Sequence, residues 1–242
     1  VLAHPTAIEK PEKVGPQDYV IITLKAHSTI DIVDSIQPLL GPNTAVVWCV
    51  NGVPWWYFYN LEGNYTDKRL STLDPENLLW NKITPQRVIG CVAYPAAEVL
   101  DPGIIKHVEG NRLSLGEPSG AKTDRVRDLS LELKKAGFKA PVRSQIRDEM
   151  WVKLWGNLSF NPISALTGST LLEMCSDNDT RELIYNMMSE AQEIGEKLGA
   201  KFAIDINRRI EGGKAVGSHK TSMLQDLERR RPLEIDALIG AV

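Results

Sequence analysis

The sequence predicts an open, mainly parallel α/β sheet followed by an all-helical domain. Three observations predict it. Short apolar, β-branched runs alternate with helical or irregular connections through the first half. After about residue 144 the β signal stops and helical spacing takes over. No internal repeat or low-complexity tract interrupts either half. The boundary is expected near Arg143, dividing the chain into 1–143 and 144–242.

The elements follow in order. Residues 19–24 (YVIITL) form a continuous apolar run, as expected of a strand buried on both faces. Ile30, Val33, Ile36 and Leu39-Leu40 then recur at helical spacing, and Gly41-Pro42-Asn43 closes that element. Residues 44–50 and 87–92 read as second and third buried strands. Residues 104–108 and 112–115 can pair as an antiparallel hairpin across Glu109-Gly110-Asn111. Residues 122–136 read as a helix stopped by Gly137, and 138–142 as an edge strand. In the second half, 147–166 is helical apart from Pro162. Residues 180–198 are strongly amphipathic, with Asp179 or Thr180 as cap and Gly199 as stop. Residues 218–230 and the stretch from Leu233 onward give two more helices, Pro232 suiting the first turn of the last.

Composition excludes several classes. The 242 residues are 43% apolar and 24% charged, an ordinary globular balance. With a net charge of -3 and no basic stripe interleaved with aromatics, no nucleic-acid partner is expected. Arg229-Arg230-Arg231 follows Asp226 and Glu228 and reads as a solvated helix end. Cys49, Cys91 and Cys175 are odd in number and form no CxxC, which suggests reduced thiols in a cytoplasmic protein. No uninterrupted apolar run approaches the roughly 18 residues of a membrane span, and no signal peptide is visible. The chain opens on Val1 without Met and closes inside the apolar Leu238-Ile239-Gly240-Ala241-Val242, so flanking segments are expected.

Open α/β sheets bind ligands beyond the carboxyl ends of their strands. Lys25, Asn51-Gly52 and Ala93-Tyr94-Pro95-Ala96 stand at three such ends. On spacing alone, a surface lysine and a simple turn explain the first two better than a ligand does. The sequence holds no GxGxxG, and Glu211-Gly212-Gly213 follows no strand, so it is no dinucleotide fingerprint.

The most informative stretch is residues 150–161. Lys153, Asn157 and Asn161 lie at i, i+4 and i+8 and share about 80° of the helical wheel. Phe160 and Leu154 flank this strip, with Leu158, Trp151 and Trp155 beyond. A solvated face is wider and mixes charges. A lysine hemmed in by large apolar groups costs several kcal/mol or gives up its proton, so it belongs in a cleft. The alternative is a partly exposed lysine beside two structural asparagines, one of them at the Pro162 break. In a cleft the chemistry is clear: a protonated Lys153 beside a ketone oxygen stabilises charge built by hydride transfer and delivers a proton. A second cluster joins Ser222 and Asp226, one turn apart, to Glu234 near the start of the last helix. Asp226 can equally brace its helix, and Glu234 can equally answer a helix dipole.

These residues resemble a known family. Lys153-Leu154 with Asn157, Asn161, Pro162 and Ala165 is similar to the ketopantoate reductase signature KLxxNxxxNPxxA. Ser222-Met223-Leu224-Gln225-Asp226 followed by Glu234-Ile235-Asp236 is similar to its second signature, SMLQD then EID. Thr23-Leu24-Lys25-Ala26 and Asn51-Gly52 resemble its nucleotide-domain motifs. The resemblance implies a Rossmann-like NADP-binding domain, incomplete at its N-terminus, then a helical substrate or dimerisation domain. It implies NADPH-dependent reduction of 2-dehydropantoate to pantoate on the route to pantothenate, with a homodimer allowed. By the same resemblance Lys153 is the general acid. Asn157, Asn161 and Ser222 hold the substrate, and Lys25, Asn51, Ala96 and Glu234 contact the cofactor or close the cleft, Glu234 also orienting the ligand.

The glycine loop and the residue that reads the 2′-phosphate are expected before Val1, so NADP over NAD is inherited from the resemblance alone. A further family asparagine falls near Leu171-Leu172, where none stands. The Trp55-Trp56 pair is expected to pack against the helical domain, or else to form a pocket wall. Two other readings stay open: a related reductase of another 2-oxo acid or imine, as in opine-type dehydrogenases, and a non-catalytic binding or dimerisation module.

Overall fold

The structure is a computed structural model, and it describes residues 2–242. Its first half holds a four-stranded sheet. Strands β1 (Tyr19–Ile22), β2 (Ala45–Trp48) and β3 (Val88–Ala93) are parallel; β2 and β3 are buried on both faces as expected, whereas β1, at the sheet edge, leaves Ile21 exposed. Between β2 and β3 lies the short helix α1 (Leu78–Lys82). β4 (Ala96–Asp101) and β5 (Ile104–Glu109) form a separate antiparallel ribbon with exposed apolar side chains. β6 (Leu113–Gly116) returns antiparallel to β3, giving the order β1-β2-β3-β6.

Three expectations are corrected. Residues 30–40 form successive turns flanked by short 3-10 segments, not an α-helix. Closely spaced β-branched residues and Pro38 disfavour regular helical bonding there. The stretch 104–108 pairs with 96–101 across Pro102-Gly103, while 113–116 joins the main sheet; alternation marks a strand but not its partner. Residues 138–142 touch the sheet through isolated parallel bridges to β6, Arg112 with Lys139 and Leu115 with Val142.

Helix α2 (Asp124–Lys135) covers one face of the sheet, packing Val126 and Leu129 on Ala45, Val47, Ile89 and Leu115. The other face carries Val46, Trp48 and Val88 against Trp55, Trp56, Trp80 and Ile83. Trp48, Trp55 and Trp80 meet edge to face. Trp55 and Trp56 lie in the core of the α/β half, where Ile146 and Met150 of the following helix join the same cluster, and Trp55 also lines a small cavity. Gly90 leaves the room that Trp56 fills, since an added Cβ would lie 2.9 Å from its ring.

The helical half begins with α3 (Ile146–Thr167). It passes through Pro162 without ending. The rung that Pro162 cannot supply is offset by burial of Phe160 and Ile163 beside it. α4 (Leu171–Ser176) opens with a capping box between Thr170 and Glu173. α5 (Asn178–Lys197) is capped by Asp177, which accepts from the Thr180 backbone N–H, not by Asp179 or Thr180. α6 (Ile206–Ala215) is capped by Asp205, and α7 (Ser222–Glu228) by Thr221. α4 and α6 were not expected; each is too short for strong periodicity. The stretch after Pro232 forms a π-helical turn at Asp236–Gly240 rather than a helix with Pro232 in its first turn. The buried core of this half joins Trp155, Leu158, Met174, Ile184, Met188 and Ile210.

Two links fix the halves to each other. Arg147 of α3 is buried and donates to three backbone carbonyls, those of Tyr57, Pro118 and Tyr59, at 2.7–2.8 Å. At Gly52, φ is +88°, and an added Cβ would overlap the backbone of Ala237; the neighbouring Val53 N–H donates to the Ala237 carbonyl at 2.8 Å.

Candidate active site

A cleft of about 780 Å³ opens at the carboxyl ends of β1, β2 and β3, where α3 crosses them. Thr23, Asn51, Ala93 and Tyr94 line it from the sheet, and Lys153, Asn157 and Ser222 from the helices. Helical spacing explains the last group. Lys153 and Asn157 are one turn apart on α3, and Ser222 opens α7, held by the Thr221 cap on Leu224 N–H at 3.2 Å.

Lys153 reaches across the cleft. Its Nζ donates to Asn51 Oδ1 at 2.8 Å and to the Ala93 carbonyl oxygen. Neither acceptor carries a charge. Burial pushes the Lys153 ammonium below the usual lysine range, against the opposing influence of Cys49, Cys91 and Glu234. Asn51, with its oxygen taken by Lys153, keeps its amide nitrogen to donate to a ligand.

A thiol pair lies beside this lysine. Trp48 and Gly90 are partners in the β2–β3 register, so Cys49 and Cys91 come next, on the same face. The neighbouring Cys91 thiol draws the Cys49 thiol below the usual cysteine range; burial opposes the shift and the Lys153 ammonium assists it. The same contact, with burial, pushes Cys91 up.

Lys25 sits at the end of β1 and behaves differently. Its Nζ donates to Asp226 at 2.7 Å and to Glu234 at 2.8 Å, joining the sheet to α7 and the final segment. Burial works against its charge, but the hydrogen bonds and the charges of both carboxylates outweigh it and hold its pKa above the ordinary 10.5. Glu234 lines a smaller cavity of about 210 Å³ with Ala26, Ile30, Trp55 and Leu233, next to the main cleft.

The structure thus brings Lys153, Asn51, Asn157 and Ser222 to one cavity and gathers Lys25, Asp226 and Glu234 beside it. Asn161 is buried one turn further along α3 and does not line that cavity. Ala96 begins β4, and its neighbours Pro95 and Ala97 line the cleft rather than Ala96 itself. Sequence reading singled out neither Arg209 nor the two thiols, all of which line the cleft. For the thiols a partial signal existed: Cys49 directly follows a buried strand and Cys91 lies within the next one. Arg209 offered only its place next to the apolar Ile210 and one turn past Ile206.

Parallel strand ends that face a buried lysine on a helical half are an arrangement suited to an oxidoreductase. Residues 1–120 match the family described as ketopantoate reductase PanE/ApbA, and residues 145–242 match its C-terminal part. The chain belongs to this family of NAD(P)-dependent oxidoreductases. A 2-dehydropantoate 2-reductase from Mesorhizobium japonicum is 59% identical over 241 residues, covering 100% of this chain and 74% of the relative. A candidate ketopantoate reductase from Ralstonia solanacearum superposes with a TM-score of 0.91 at 36% identity, over 97% of this chain and 71% of that one. A 2-dehydropantoate 2-reductase from Geobacter metallireducens superposes with a TM-score of 0.81 at 28% identity, over 96% and 72%. Among the described residues, no helix is long and apolar enough to cross a membrane.

Proposed function

We propose that the protein reduces 2-dehydropantoate to pantoate with NADPH as hydride donor and Lys153 as proton donor. The observation that carries this reading is the setting of Lys153: an ammonium in a cleft at the strand ends, held by Asn51 and Ala93 and, among the described residues, in no ion pair. The cleft, with its amide, hydroxyl and carbonyl groups at the strand ends, fits a nicotinamide and a small 2-oxo acid side by side.

The bound cofactor supplies hydride to the ketone carbon. This chain's residues supply the rest. Lys153 Nζ stands next to the ketone oxygen, stabilises the charge that grows there and gives up its proton. Asn157 and Ser222 hold the substrate's carboxylate and hydroxyls, and Asn161 supports the same strip from within the helix. Asn51 orients Lys153 and donates to the ligand. Lys25 and Glu234 contact the cofactor or close the cleft over it, Glu234 from an ion pair that spans both halves. Free thiols at Cys49, Cys91 and Cys175 suit a cytoplasmic enzyme.

The test is NADPH oxidation by the full-length protein with 2-dehydropantoate and a panel of other 2-oxo acids and imines. The expected result is highest kcat/KM with 2-dehydropantoate, and with NADPH over NADH. Better turnover of another acid overturns the substrate assignment. That second reading draws on Leu171-Leu172, which stand where the family resemblance expects an asparagine.

A further inference from the structure

We infer that Arg209 is a specificity-determining residue that holds the carboxylate of the 2-oxo acid. The inference rests on the reductase reading above. Arg209 projects from α6 into the cleft lined by Lys153, Asn157 and Ser222. Among the described residues, no carboxylate lies within ion-pairing distance of it and no side-chain hydrogen bond satisfies it. The acids on its own helix are already engaged. Asp205 caps α6 by accepting from Arg208 N–H at 2.8 Å, and Glu211 pairs with Arg181 at 2.9 Å. A guanidinium left without an anion in a half-buried place is poised for one that arrives with a ligand.

The packing between α3 and α6 is built around this side chain. Gly156 leaves the space that the Arg209 guanidinium occupies, and an added Cβ would overlap Nη2. In return, Gly213, one turn on from Arg209, leaves the space for the Phe160 ring, which would lie 2.7 Å from a Cβ there. The guanidinium carbon also lies 5.3 Å from the Phe160 ring centroid, a cation–π contact that limits its freedom. Each helix thus offers a glycine notch to the other's large side chain. The result places Arg209 against Gly156, three residues from Lys153 and one from Asn157. In a 2-oxo acid the carboxylate carbon is bonded to the ketone carbon. A site that puts Lys153 at the ketone oxygen therefore needs its carboxylate anchor in this immediate neighbourhood.

The test compares Arg209→Met, Arg209→Lys and Gly156→Ala with the full-length wild type. Substrates are 2-dehydropantoate and its neutral γ-lactone, which keeps the ketone and lacks the carboxylate. In Arg209→Met, KM for the acid should rise about 10- to 100-fold, the scale of a charged hydrogen-bonded pair. KM for the lactone and for NADPH should stay within about threefold. Arg209→Lys should recover part of the loss. Gly156→Ala suits a helix better than glycine does, yet it displaces the guanidinium. It should reproduce the KM change in a folded protein even where Arg209→Met folds poorly.

An unchanged acid KM in the folded variants overturns the inference and leaves the reductase reading standing. A rise confined to the NADPH KM overturns it too, assigning Arg209 to a cofactor phosphate. If the wild type reduces no 2-oxo acid, the reductase reading falls, and calorimetric titration with pantoate or oxamate decides the inference. Binding lost in Arg209→Met supports a carboxylate site; equal binding removes it.

Discussion

The two lysines at the strand ends make an instructive pair. Lys25 follows β1 and Lys153 reaches the strand ends from α3, and both are partly withdrawn from water. Lys25 meets two carboxylates, Asp226 and Glu234, whose side chains are only 8% and 4% exposed, so its charge is locked in place. Lys153 meets an amide oxygen and a carbonyl oxygen, so its charge is tolerated but not neutralised. Burial lowers the pKa of one; carboxylate partners raise that of the other above the free value despite burial. Partner chemistry, not burial, separates a clamp from a proton donor.

The sharpest way to break the contrast is to remove each lysine. Lys153→Ala should lower kcat by about 10²-fold or more, the scale of a lost general acid, with unfolding by denaturant little changed. A variant with full kcat would take Lys153 out of the mechanism. In the wild type, kcat for reduction should fall on the alkaline side with an apparent pKa below the 10.5 of a free lysine, because the acid form is lost as pH rises through the lowered value. A limb at or above 10.5 would contradict the assigned cause. Lys25→Met should act mainly on stability. It leaves two buried acids facing each other, at a cost of about 1–2 kcal/mol, reduced from the fully buried case by solvent screening, since the Lys25 side chain is 38% exposed. The contribution of this charge is present below pH 10.5 and is lost as pH rises through its raised folded-state value. Adding Asp226→Asn should restore part of the loss; no recovery would show that the ion pair is not its source.

Smaller effects refine the picture. Ser222→Ala should raise substrate KM several-fold with kcat nearly unchanged, since uniform binding is what it removes; an unchanged KM argues against the contact. Cys49 should react with iodoacetamide with a midpoint below that of an ordinary cysteine. In Lys153→Met the midpoint should move upward by a fraction of a unit, because one of its two stabilising neighbours is gone; a fixed midpoint would place the lysine charge out of reach of the thiol.

Much of the α3 site was legible because helical geometry is local: Lys153 and Asn157 share a face whatever surrounds them. The strip failed at its third member, Asn161, because the wheel gives direction but not how far a cleft extends along the axis. The Lys25 triad joins residues 201 and 209 positions apart, a distance over which spacing carries no information. The strand runs were visible as apolar patterns, whereas the partner of residues 104–108 was not. A helix over 30–40 was expected from apolar spacing, but β-branched crowding and Pro38 give tighter turns with a similar repeat. Arg209 resembled any arginine on a helix flank until Gly156 was seen to make room for it.

Gly52 carries a consequence of another kind. There main chain lies on main chain, with the residue 52 backbone against Ala237 and a hydrogen bond alongside. The spacing of the two lobes at that point is set by atoms common to every amino acid. Side chains lining the cleft can be exchanged over evolutionary time, or by an engineer seeking a new substrate, without altering the approach of the two halves at this contact. At this point the fold keeps a gauge that the loss of one glycine would reset.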